Sequence, residues 1–325
     1  MNSIFLYVEK NGEITITGLK EGVSDTSIVI PETIDGMPVV EIGPKAFEFS
    51  TITDIKIGKN IKKIGEKVFY MCNKLRSVTW SHKCDVIPVG CFFGCSNLMQ
   101  FNFSGIKKIG GRAFYESGLQ EVCLTGNTEI VSKKAFSCCK MLRTVIWNCK
   151  CNVIPVECFV RCSNLTKFDF LSVKKIEAYA FYKSGLQEVC LTENIEVVSE
   201  WAFYGCEKLS SVIWNCKFDV IPTCCFSRCS NLTQFDFSGI KKIGAYAFDE
   251  SGLTFVTLNK GTAVEQYCFA RCNDLEKIEW LSGRAIKDSI FEGCKNIKEI
   301  FISDNVKSIE ASAFSSSPNA EIAFI

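Results

Sequence analysis

IGGRAFYESGLQEVCLT, residues 109–125, sets Phe114 five residues after Ile109 and follows it with Ser117, Leu119, Val122 and Leu124. The arrangement returns along almost the whole chain. Its phenylalanine column is Phe47, Phe69, Phe92, Phe114, Phe136, Phe159, Phe181, Phe203, Phe226, Phe248, Phe269, Phe291 and Phe314, at spacings of 21 to 23 residues. Ile or Val stands five residues before each, from Ile42 to Ile309. A period in the twenties with fixed apolar columns marks a solenoid, whose units bury their apolar faces only against their neighbours. Such an architecture favours an extended binding surface over a single catalytic cleft.

The unit takes two forms. In the long form Cys follows Phe at plus 3, as in Phe69, Cys72, Leu75, Val78 and Trp80; in the short form Ser replaces Cys and later positions arrive one residue early. Each unit ends in apolar–variable–apolar alternation, such as Val78-Thr79-Trp80 or Phe168-Asp169-Phe170, the signature of a short strand. Small residues (Ala46, Ala113) and Gly or Pro at minus 4 (Gly65, Pro88, Pro155) precede Phe. Pro there suits a first helical turn, so the spacing predicts a strand, a tight connection and a short helix or 3-10 segment. Short, long and long units form a triplet that repeats every 67 residues, and GLQEVCLT recurs at 118–125 and 185–192.

The first 39 residues differ. Asn11-Gly12 predicts a hairpin within Tyr7–Leu19, and Asp35-Gly36 a second turn. The expected organisation is an N-terminal β cap over 1–39 and an array of about 13 units over 40–325. Ile322-Ala323-Phe324 fits a last strand with no cap, so this edge offers a route to self-association.

IGPKAF at 42–47 and IGAYAF at 243–248 resemble the leucine-rich repeat of BspA-like proteins, and NGEITITGLKEG (11–22) with IPETIDGMPVVEIG (30–43) resembles the N-terminal segment common there. The resemblance covers roughly residues 5–325. It implies an α/β leucine-rich-repeat solenoid, a curved right-handed superhelix with a parallel sheet on the concave face and short helical or 3-10 turns on the convex side. It also implies microbial proteins, often secreted or surface-attached, that bind host proteins, matrix or other cells. No catalytic residues carry over.

A net charge of +1 creates no global field for nucleic acid or membrane, and no apolar run approaches a bilayer span. MNSIFLYVEKNGE lacks the basic and uninterrupted apolar regions of a secretion signal. Of the 20 cysteines, eight fill the plus-3 column, from Cys72 to Cys294. Cys alternates there with Ser, which points to a small buried site where it behaves as a small hydrophobe. Disulfides between adjacent rungs, such as Cys72 with Cys95, are the rival. Thiols without an evident mate, such as Cys123 and Cys190, argue against it and for a reducing setting. Cys138-Cys139, Cys149 with Cys151 and Cys224-Cys225 lack the spacing of structural zinc, and His82 is the single histidine. No catalytic, cofactor-binding or metal residue is assigned.

Inward strand residues such as Trp80, Trp147, Trp214, Trp280, Phe103, Phe170 and Phe237 are core candidates. The variable residue between them turns outward. Thr79, Asn102, Ile146, Asp169, Ile213, Asp236 and Glu279 are therefore the candidate partner-binding residues, apolar anchors with an acidic rim, set against an ordinary solvated sheet face. Lys-Lys pairs at 62–63, 107–108, 174–175 and 241–242 could align as a basic stripe or form a solvated edge, and no interleaved aromatics suggest nucleic acid. The function expected is a non-enzymatic protein-interaction module, an adhesin-like protein binding host matrix, serum or cell-surface proteins. The alternative is an intracellular scaffold for another protein of the same cell. The compartment stays open between surface or secreted, from the resemblance, and cytoplasmic, from the free thiols.

Overall fold

The computed structural model describes residues 3–80 and 84–325. The chain divides between Leu165 and Thr166 into two compact units. Each is a stack of coils whose outward-alternating strands pair in parallel, one coil upon the next. In the first unit Glu121–Thr125 pairs with Thr144–Asn148, Val122 opposite Val145. In the second, Phe255–Leu258, Lys277–Trp280, Glu299–Ile302 and Glu321–Phe324 form a four-stranded parallel sheet.

The Phe column is the core. In the first unit successive rings from Phe47 to Phe159 stack at 5.2–5.8 Å, and in the second those from Phe181 to Phe314 stack at 5.5–5.7 Å. Strand aromatics meet these rings from the sheet side; Phe103 lies against Phe114 and Phe237 against Phe248. Trp147, Trp280, Phe103, Phe170 and Phe237 are buried, as their inward position predicts, whereas Trp80 and Trp214 are half-buried. The indole N–H groups of Trp80, Trp147 and Trp280 donate to the carbonyl four residues on; that of Trp214, next to the Phe218 ring, has no partner among the described residues.

The short helices expected after each strand are absent, so the α/β class is corrected to an all-β solenoid. No described residue is helical; the Phe segments are successive tight turns. Left-handed residues flank Phe at minus 2 and plus 2, for example Lys45 (φ 58°) and Phe49 (φ 59°), Arg112 (φ 54°) and Glu116 (φ 56°), or Gly90 (φ 61°) and Gly94 (φ 71°). They divide the amides into two sets. Ala46, Glu48 and Ser50 donate to carbonyls three residues earlier, while Lys45, Phe47 and Phe49 donate to Glu66, Val68 and Tyr70 of the next coil at 2.8–3.0 Å. A helix would keep all of these bonds within its own coil. Left-handed non-glycine residues cost about 1–2 kcal/mol each, and here every second amide gains an intercoil partner instead. Gly or Pro at minus 4 is the first residue of a turn whose third residue has positive φ, the type II requirement.

The Ile or Val at minus 5 builds a second ladder of two-residue strands. Ile87, Ile109 and Val131 pair in register in the first unit, as do Ile221, Ile243 and Val264 in the second. At the start of the chain, Phe5–Lys10 and Glu13–Leu19 form an antiparallel hairpin around Asn11 (φ 51°) and Gly12 (φ 73°). Its second strand pairs with Met37–Ile42, which pairs with Lys63–Ile64. No described helix is long and apolar enough to cross a membrane.

The outward face of the sheet as candidate functional site

Strand alternation places the candidate residues on the solvent side, where all except the half-buried Glu279 are exposed. In the first unit Lys56 lies opposite Thr79, and Cys123 opposite Ile146. In the second, Cys190 lies opposite Ile213, and Thr257, Glu279 and Phe301 follow one another in register. Ile146 is 48% exposed and Ile213 56%, each beside an exposed cysteine. Nothing in the core requires an isoleucine at either position, since both point away from it.

The acidic residues have local work to do. Asp169 Oδ1 accepts from the Leu171 amide at 2.9 Å and Asp236 Oδ1 from the Ser238 amide at 2.8 Å, while Asn102 does the same for Ser104 at 2.9 Å. These are Asx turns that bend the chain out of the strand, so an acid or amide at this point of the triplet is explained by backbone geometry. Glu279 bonds to Lys277 at 3.0 Å and accepts from the Thr257 hydroxyl at 3.0 Å. The lysine and then the threonine hold its carboxyl below the usual range. The FNFSG and FDFSG spacing was the sequence signal for these turns.

Among the described residues, every lysine of these pairs except Lys108 forms an ion pair with an acid of its own or an adjacent coil. Lys107 reaches Asp85 at 2.9 Å, Lys174 reaches Glu196 at 2.9 Å, Lys175 reaches Glu177 at 2.9 Å and Lys241 reaches Asp219 at 2.6 Å. Exposed pairs of this kind contribute roughly 0–1 kcal/mol, but they neutralise the basic stripe.

All 20 cysteines are free. The plus-3 thiols do more than fill space. Every one donates to the carbonyl of a Phe in the preceding coil: Cys72 to Phe47 at 2.9 Å, Cys139 to Phe114 at 3.0 Å and Cys294 to Phe269 at 3.0 Å, with the other five at 3.1–3.4 Å. In short units the serine hydroxyl touches the next thiol, as Ser117 does Cys139 at 3.3 Å. Burial pushes the Cys139 and Cys206 thiols up to about 12, so they stay protonated donors rather than nucleophiles. Among the described residues no group of three or more His, Cys, Asp or Glu could hold a metal ion; His82 lies outside the described residues.

Comparison with curated proteins finds no match. Among solved structures, a leucine-rich repeat protein from Bacteroides ovatus aligns with a TM-score of 0.63 at 21% identity, covering 100% of this chain and 99% of that one. The pneumococcal vaccine antigen PcpA aligns at 0.57 and 15% identity over 99% and 92%. A leucine-rich cell surface protein from Faecalibacterium prausnitzii aligns at 0.52 and 19% identity over 100% and 94%. At these identities the likeness is one of fold. The BspA type leucine rich repeat region matches in 6 copies over residues 21–143, 152–276 and 262–325. Because that repeat extends over most of the chain, the chain belongs to the BspA type leucine-rich repeat family.

Proposed function

We propose that this chain is a non-enzymatic protein-interaction module whose partner sits on the outward face of the strands. The observation that carries this reading is the pair of exposed isoleucines, Ile146 and Ile213, at equivalent places one 67-residue triplet apart. Each is an apolar anchor on a face that water otherwise covers. Family membership supports an interaction role, and a surface, adhesin-like setting accords with the cell surface protein and the vaccine antigen that share the fold. The test is a binding screen against host matrix and serum proteins, with Ile146→Lys and Ile213→Lys as probes. Together the two substitutions are expected to weaken binding of the partner found by more than about tenfold, worth about 1.4 kcal/mol. Lys174→Ser with Lys175→Ser is expected to change little beyond a salt-dependent on-rate. Loss of binding in the lysine variant alone would place the surface elsewhere.

The free thiols favour a second reading, an intracellular scaffold in a reducing compartment. Fractionation of the native cell separates the two, because a surface location eliminates the scaffold.

A further inference from the structure

In the second unit the turn side carries four aromatic side chains that meet one another. Tyr179 and Trp201 stand two residues before Phe181 and Phe203, and Tyr182 and Tyr204 one residue after them. Tyr179 stacks on Trp201 at 5.6 Å and Tyr182 on Tyr204 at 5.0 Å, each pair joining adjacent coils. Across the two rows Tyr179 meets Tyr182 at 5.8 Å and Trp201 meets Tyr204 at 5.0 Å, the rings tilted by 56° and 44°. All four are half-buried, so their outer parts form one continuous aromatic patch open to water.

The fold does not demand this patch. Equivalent places one triplet earlier hold Arg112, Tyr115, Lys134 and Ser137, and one triplet later Tyr246, Asp249, Tyr267 and Ala270. A group that the coils require returns in each of them, as Phe does, whereas the full set of four aromatics occurs in one triplet. The place two residues before Phe is also left-handed, with φ 58° at Tyr179 and 61° at Trp201. Bulky aromatics in that conformation are outliers of the kind that cluster at binding sites.

Polar groups with unused hydrogen-bonding capacity surround the rings. Among the described residues the Tyr182 and Tyr204 hydroxyls make no hydrogen bond, and Lys183, whose ammonium lies 5.5 Å from the Tyr182 ring centre, makes no ion pair. Gly205 in the next coil makes room for this lysine, since a Cβ there would meet Lys183 Cγ at 2.9 Å. Beside the other row a depression of about 490 Å³ runs past Ala178 and Glu200, the residues just before Tyr179 and Trp201, to Thr223. That volume lies within the roughly 300–1,000 Å³ of ligand sites. The exposed Glu200 carboxylate has no hydrogen bond or ion pair among the described residues.

We infer that this corner of the second unit binds a glycan, a linear chain of pyranose rings that rests on Trp201 and the three tyrosines with its hydroxyls on Lys183 and Glu200. A pyranose presents a face of C–H groups and a rim of hydroxyls. The negative faces of aromatic rings attract polarised C–H groups, and the ammonium donor and carboxylate acceptor on either side of the patch suit the rim. An extended peptide would need a free sheet edge, but the Trp201, Phe203 and Gly205 amides are already bonded to Thr223, Cys225 and Ser227 of the next coil. The site lies on the turn side, so the inference is independent of the outward-face reading.

The experiment titrates the full chain with cellohexaose, chitohexaose, maltohexaose and mannohexaose, read by calorimetry and tryptophan fluorescence. At least one is expected to bind with a Kd of about 1 mM or tighter and to change the tryptophan signal. The double variant Trp201→Lys with Tyr204→Ser installs the residue types that Lys134 and Ser137 supply one triplet earlier, so the coils close as before. It is expected to weaken binding at least about tenfold. Trp201→Gly, which suits the left-handed place, is expected to do the same, and Glu200→Gln to weaken binding about threefold. Ile213→Lys is expected to leave it unchanged. Failure of all four hexasaccharides to bind, or equal binding by the folded double variant, would overturn the inference. Loss in Ile213→Lys alone would place the sugar on the strand face and overturn it too. A proline-rich decapeptide that binds where every sugar fails, and is lost in the double variant, would assign the patch to peptide instead.

Discussion

On the turn side of each coil the same groups return: a stacked Phe, a thiol or hydroxyl at plus 3, and residues able to take positive φ. On the outward side of the strands, Lys56, Cys123, Ile146 and Asp236 occupy equivalent places with no chemistry in common. The difference follows from what each position touches. A turn-side group meets its own copies above and below, so one misfit propagates to two neighbours, as expected where each unit contacts only those beside it. An outward group meets water and one neighbour in register, which leaves it free to diverge towards a partner.

Truncating the turn side should have the largest effect. Phe114 is fully buried between Phe92 at 5.2 Å and Phe136 at 5.5 Å. Phe114→Ala is expected to cost about 3–5 kcal/mol in urea denaturation. A loss under about 1 kcal/mol would mean that the column is not the core.

Gly118→Ala comes next. An added Cβ would run into the Ser96 carbonyl of the preceding coil, a backbone atom that cannot swing aside. The expected cost is about 1–3 kcal/mol. Gly105→Ala, where nothing lies within 4 Å but φ is 80°, should show the strain of the left-handed backbone alone, about 1 kcal/mol.

The thiol ladder gives a smaller, pH-dependent effect. Cys139→Ala removes one of two donors to the Phe114 carbonyl, which keeps the Ser117 amide at 3.0 Å, and should cost about 0.5–1.5 kcal/mol, with Cys139→Ser recovering part of that. In the folded protein the Cys139 and Cys206 thiols are pushed up to about 12 from an ordinary 9.0. The unfolded chain therefore binds fewer protons than the folded one above pH 9. Stability is fully present below that pH and declines as pH rises from 9 towards 12. Thermal melts across this window should show the decline, and Cys139→Ser should lessen it by one thiol's share, because burial also raises Cys95, Cys162, Cys225 and Cys229. An identical slope in the variant would show that Cys139 does not contribute to the alkaline limit.

The outward side should respond least. Ile146→Lys and Ile213→Lys are each expected to shift stability by about 0.5 kcal/mol or less, measured in the same urea titration. Destabilisation approaching that of Phe114→Ala would mean that the two residues are core and would erase the contrast between the faces.

Much of this was open to a reader of the primary structure. Phe114 and its twelve equivalents, the inward aromatics, the alternating strand tails and the Asn11-Gly12 turn announce themselves through spacing and residue type. The turn segment did not, because small residues before Phe and Pro at minus 4 suit the first turn of a helix as well as a tight turn. Gly90, Gly94 and Gly205 at the left-handed places were the available warning, diluted by Lys, Arg, Glu and Cys at the same places in other coils.

Period and polarity are local properties, and in a solenoid they suffice to specify which side chains enter the core, because each coil repeats the same burial problem. Hydrogen-bond destinations are not local. Whether the Phe47 amide closes a helix or reaches Val68, whether the Cys139 thiol merely fills space or caps Phe114, and whether Lys107 lies free or pairs with Asp85 depend on a coil some twenty residues away. Only stacking brings those partners within about 3 Å, and so only the tertiary structure decided that the turns are not helices, that the basic stripe is neutralised, and that the strand ladder is interrupted at Asp236.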